Sequence, residues 1–119
     1  SWKISQIVHH LADSHINAYI RMKLAVTQNE VVINPYAEEL WAEMEDVKSL
    51  PIGISITLMG ALHLRWTIFL KSLDEEKLNF GYVHPANQRF ISIKQAILLY
   101  AWHCNHHIMH IKIALANKI

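Results

Sequence analysis

Residues 3–28, KISQIVHHLADSHINAYIRMKLAVTQ, decide the fold of this chain. Ile4, Ile7, Val8, Leu11, Ile16, Ile20 and Leu24 recur at three- and four-residue spacing, the period of an apolar helix face. No Gly or Pro interrupts the run, so the spacing predicts one long helix over 3–28. The polar residues follow the same period. At about 100° per residue, Ser14, Asn17 and Arg21 fall within roughly 40° of His10, with Asp13 about 60° to one side. His9 and His10 point about 100° apart, so at most one of them joins this stripe. Such a stripe can be simply the solvent face of a surface helix.

A second histidine group weakens that plain reading. The run His103-Cys-Asn-His106-His107-Ile-Met-His110 carries four imidazoles in eight residues. His103, His107 and His110 lie within roughly 60° of one another on a helix, and His106 sits about 60° off His103 on the far side. Two imidazoles one turn apart can aim ring nitrogens at one divalent ion, and the helix over 3–28 can supply a third. Three ligands with an open position are the geometry of a catalytic metal site rather than a closed structural one. Here periodicity leaves open whether His9 or His10 is that third ligand.

Working outward, VVINPYAEELWAEMEDVKSLP reads as a connection holding a short helix, with Asn34 as cap and Pro35 at its first position. Tyr36, Leu40 and Trp41 give it something to bury, and ordered connections of this length often act as covers. A second long helix is expected over about 51–73, closed by a capped turn at Ser72-Leu-Asp-Glu-Glu. FGYVHPANQRF follows as an irregular connection. Ser92 and Gln95 form a capping box that opens a third long helix over about 93–117. The fold class is therefore all-α, an up-down bundle of the four-helix type with one member missing from this chain, and residues 1–119 form a single domain.

Composition sets the outer limits. Apolar residues make up 52%, with 3 Gly and 3 Pro, which favours long helices over a many-turned β fold. The net charge of +1 lacks the basic footprint of a nucleic-acid binder. Cys104 is the sole cysteine, so no intrachain disulfide forms and the chain reads as cytoplasmic. No signal peptide is visible. Residues 52–70 approach membrane-spanning length but carry His63 and Arg65 near the middle, so a buried bundle helix is expected and no membrane partner.

Five segments in order carry a family resemblance. They are Trp2 with HHLADSH (9–15), Asn17 and Arg21; NPYAEELWAE (34–43); LHLRW (62–66); YVHP (82–85); and LYAWHxxHHxxHI (99–111). The chain resembles the DinB-like superfamily of four-helix bundles, and within it the YfiT-type branch of metal-dependent hydrolases, relatives of bacillithiol S-transferases. The resemblance implies one divalent ion per chain, zinc or nickel, held by His10, His103 and His107, with water completing the sphere. It is the resemblance that selects His10 over His9. Family members also carry a helix before the Trp motif, so the first helix is expected to be absent here or supplied by another protomer, which makes a homodimer the expected assembly.

The implied function is hydrolysis of a small-molecule substrate by water activated on the ion. A thiol S-transferase using the same open position is the alternative, since a metal also favours a thiolate. A non-catalytic metal-binding module is a third reading. Asp13 is the candidate to orient a ligand imidazole or the water. Asn17, Arg21 and His63 are candidates for substrate binding, with pairing to an acidic neighbour the competing role for Arg21. His106, His110 and Cys104 are assigned supporting or packing roles.

Overall fold

The computed structural model describes residues 2–116, leaving aside the side chains at 103–111, 114 and 115. In chain order the elements are α1 (Ile4–Thr27), β1 (Val31–Val32), α2 (Glu38–Trp41), α3 (Glu45–Lys48) and α4 (Ile52–Lys71). They continue with α5 (Glu75–Leu78), β2 (Gly81–His84), β3 (Arg89–Ser92) and α6 (Ile93–Ala116). The three long helices predicted from periodicity are present, each within about two residues of its expected ends. α1 is the axis of the structure and packs against α4, α6, α3 and β2.

The face that α1 buries differs from the apolar stripe. Ile7 and Val8 are buried, but Ile20 is half exposed, while His9, His10, Ser14 and His15 are all buried. A helix covered on several sides buries more than one stripe, so periodicity located the helix without locating its inner face. Toward its C-terminal end, Ala18, Met22 and Ala25 pack with Trp66 of α4, Ile93 and Ala96 of α6, Ile33 and Tyr82. Ala18 and Ala25 are fully buried and let neighbouring elements approach closely. The indole N–H of Trp66 points at Met22 Sδ, 3.2 Å away. Truncating Met22 to Ala would cost about 2–5 kcal/mol by the usual cavity penalty.

Two connections depart from expectation. The helix expected to start at Pro35 starts only at Glu38, with Ala37 as its cap. Residues 31–33 are held extended instead. β1 pairs in parallel with β2, and the Ile33 N–H donates to the Val83 carbonyl at 3.1 Å, while Asn34, preceding proline, is itself biased away from helix. The stretch expected to be irregular is a β-hairpin, with Gly81 opposite Ser92 and His84 opposite Arg89. Gln88, at φ 58°, turns its four-residue loop. Gly81 is dictated by close approach, because a Cβ there would collide with the carbonyl oxygen of Ile91. The all-α body therefore carries a small sheet in the order β1-β2-β3.

The caps of α5 and α6 behave as the sequence implies. Asp74 accepts from the Lys77 N–H at 2.9 Å and opens α5. Ser92 and Gln95 exchange reciprocal hydrogen bonds, 2.9 and 3.2 Å, at the start of α6. The expectation of a buried α4 does not hold, since only Ser55 and Trp66 are buried on it. Ile54, Leu58, Leu64 and Ile68 are exposed because α4 leans on α1 along one edge. By length and composition α4 could cross a membrane. His63 and Arg65 tie it to α1 instead, the first by a hydrogen bond to His15 and the second by stacking 5.7 Å from the Tyr19 ring.

Candidate metal centre

The two adjacent histidines of α1 have different surroundings. His9 Nε2 is 2.9 Å from the Leu50 carbonyl oxygen, and His9 Nδ1 is 2.6 Å from Ser55 Oγ. A carbonyl only accepts, so Nε2 carries the proton of the neutral ring and Nδ1 accepts from the Ser55 hydroxyl. Both nitrogens of His9 are thereby committed to joining α1 and the start of α4. His10 is equally buried, 4% exposed, and its ring meets that of Trp2 at a tilt of 58°, with centroids 4.8 Å apart.

Ser14, one turn beyond His10, is 5% exposed. This part of the polar stripe faces inward, so the solvent-face reading does not apply to it. Tyr36, from the extended connection before α2, lies over it and packs on Trp41 with centroids 4.5 Å apart. Its hydroxyl is buried without a hydrogen-bond partner among the described residues. Ser14 lies near enough to favour the phenolate slightly, yet not in hydrogen-bonding geometry. Burial, with Glu38 adding to it, pushes this phenol well above the ordinary tyrosine range. A buried hydroxyl without a partner among the described residues, close to the buried Ser14, is a place where a polar partner is wanted. Tyr36 did not figure among the candidate residues, although the length of its connection pointed to a cover.

The remaining candidates are distributed along α1 and α4. Asp13 is half-buried, and burial first and Asp46 second raise its carboxyl pKa above 3.8, with His9 opposing. The Asn17 side-chain amide donates to the Asp13 carbonyl oxygen at 2.8 Å within its own helix. Arg21 has no ion pair among the described residues, against the expectation of an acidic partner, and sits beside the Tyr100 hydroxyl. His63 Nε2 is 2.7 Å from His15 Nδ1, and this pair borders a cavity of about 210 Å³ walled by Met22, Trp66 and Tyr100. The side chains of His103, His106, His107 and His110 and of Cys104 lie outside the described residues. Their backbone belongs to α6, which packs on α1. Among the described residues alone, no group of three metal-ligating side chains comes together.

The fold and this site define a class: a helical bundle whose central helix turns histidine and serine inward, beneath a tyrosine-bearing cover and against a histidine-rich helix. The chain belongs to the DinB superfamily, whose family model matches residues 1–111. A Bacillus subtilis protein named "Putative metal-dependent hydrolase YfiT" is 44% identical over 110 residues, 92% of this chain and 62% of that protein. Proteins of the same designation from Halalkalibacterium halodurans and Oceanobacillus iheyensis are 46% and 49% identical, covering 97% and 92% of this chain and 66% and 63% of theirs. The chain thus spans under two thirds of the length of these relatives. The solved structure of the Bacillus subtilis protein, described as "a probable metal-dependent hydrolase with an unusual four-helix bundle topology", aligns with a TM-score of 0.95 at 41% identity. That alignment covers 99% of this chain and 67% of the other.

Proposed function

We propose that this chain forms the histidine-bearing part of a metal-dependent hydrolase, with His10, His103 and His107 holding one zinc or nickel ion. The observation that carries the reading is that His10 and Ser14, one turn apart, are both buried, and that the Tyr36 hydroxyl near Ser14 is buried without a hydrogen-bond partner among the described residues. His9, the competitor that periodicity left open, has both ring nitrogens engaged elsewhere. By helical arithmetic, positions 103 and 107 fall within about 20° of position 96, and Ala96 is fully buried in the core shared with α1. The relatives' designation agrees with a metal-based chemistry.

A bound divalent ion would supply Lewis-acid activation of water near neutral pH. The rest falls to the chain's own residues. His10 must be neutral to serve as a ligand, and it is held buried in contact with Trp2. The Tyr36 phenol, kept protonated by burial, would donate to a substrate oxygen as negative charge develops there. Asp13, with its raised carboxyl pKa, would receive or return a proton at the rim.

The test is metal analysis of untagged protein, followed by turnover. About one equivalent of divalent ion per chain is expected, falling below about half an equivalent in His10→Ala, His103→Ala and His107→Ala. Metal-loaded protein is then given panels of amides, esters and thiol-plus-electrophile pairs. Turnover confined to the thiol pairs would replace hydrolysis with thiol transfer. Turnover no faster than His103→Ala across every panel would leave a non-catalytic metal-binding module.

A further inference from the structure

A second cavity, of about 280 Å³, opens between α1, α6 and the hairpin, and Arg21 brings a permanent positive charge to its wall. Ile91, Leu99 and Trp102 form apolar walls, and Tyr82 and Tyr100 line it beside the guanidinium. Both phenols are displaced upward by burial, Tyr82 to about 12, so they are neutral donors at physiological pH. Arg21 is half-buried and has no carboxylate paired with it among the described residues. His84 also lines the cavity, with its Nδ1 accepting from the Ala86 N–H at 3.2 Å. The guanidinium and the two neutral phenols present N–H and O–H donors to whatever enters. That donor set matches a carboxylate, which accepts two parallel bonds from arginine and a further one from a phenol.

We propose that this cavity seats the carboxylate end of a small molecule with an apolar stem, with Arg21 as its binding residue. Arg21 lies eleven residues from His10 on α1, about 16 Å along the helix axis. The ligand is therefore elongated if its other end is the reacting end. The elongated shape depends on the proposed metal site, whereas the carboxylate seat does not.

The experiment measures binding of 4-phenylbutyrate and of its neutral amide by calorimetry, on the full chain stripped of metal with a chelator. The carboxylate should bind about ten-fold more tightly than the amide, the scale of one charge-assisted contact. Arg21→Gln should bring the two to equal affinity, and Arg21→Lys should keep part of the preference, since it retains the charge without the fork. His10→Ala should leave the preference unchanged, so loss of the metal reading and loss of this one are read separately. Equal affinity of acid and amide for the unsubstituted chain overturns the proposal, and so does a preference that survives in Arg21→Gln. Should Arg21→Gln fail to fold, the acid–amide comparison on the parent chain and on Arg21→Lys still decides.

Discussion

His9 and Ser55 are joined by a 2.6 Å hydrogen bond across the α1–α4 interface, and this contact separates two histidines that are neighbours in sequence. His9→Ala strands the buried Ser55 hydroxyl and removes the donor to the part-buried Leu50 carbonyl, and should cost about 1–3 kcal/mol of stability. It should leave metal content unchanged. His10→Ala should instead lose the ion. Urea unfolding of stripped protein, set beside metal analysis, checks both. Loss of the ion from His9→Ala would reassign the ligand.

Tyr36→Phe removes a hydroxyl that is buried without a partner among the described residues while keeping the ring packed on Trp41. Leaving such a group unsatisfied costs about 1–3 kcal/mol, so the variant should be more stable than the parent by an amount in that range when no metal is bound. Activity should move the other way. Loss of one donor to a developing oxyanion lowers kcat by roughly 100-fold or more, with KM changing less. A less stable Tyr36→Phe would mean that the hydroxyl has a partner after all, and unchanged kcat would remove it from the chemistry.

Asp13 carries a pH-dependent cost. Its carboxyl pKa is raised above 3.8, first by burial and then by Asp46. The folded chain thus keeps a proton that the unfolded chain has released. Stability falls as pH rises from about 4 through the raised folded value, and the cost is fully present above it. Asp13→Asn in metal-free protein should therefore exceed the parent in stability at pH 7, with the gap closing as pH falls to about 4. Urea midpoints across that range measure it. A gap that stays constant or widens on acidification would show that Asp13 does not titrate as its surroundings require.

What was legible in the sequence was whatever local chemistry settles. The Ser92–Gln95 box reads directly because both partners lie within one helical turn. The long helices read because no Gly or Pro breaks α1 and because apolar spacing is local. The hairpin was missed because two four-residue strands carry too few residues to show alternation, and the pairing that stabilises them includes the distant Val31. The start of α2 was misplaced for the same reason. Asn34-Pro35 is a good helix start in isolation, and the hydrogen bond from Ile33 to Val83 overrides it. Within the site, periodicity grouped His10 with Ser14, but the separation of His9 from His10 depends on Leu50 and Ser55, some forty residues away. That the Tyr36 hydroxyl is buried without a partner among the described residues could not be read at all, since it arises from what surrounds the residue rather than from the residue itself.

Acid should release the ion and, with it, the stability that the ion confers. Imidazole binds metal only when neutral, so three histidine ligands compete with protons as pH falls through about 6. The ion stabilises the folded chain in proportion to the logarithm of its binding. The urea midpoints of loaded and stripped protein should therefore differ at pH 7 and converge below about pH 5, while in His10→Ala they should coincide at every pH. The trend is opposite in sign to that of Asp13, whose protonation favours folding on acidification, so the two effects can be told apart in one data set. A chelating dye in the same samples reports the released ion directly. An ion retained at about pH 4 would require at least one oxygen or sulfur ligand in place of an imidazole.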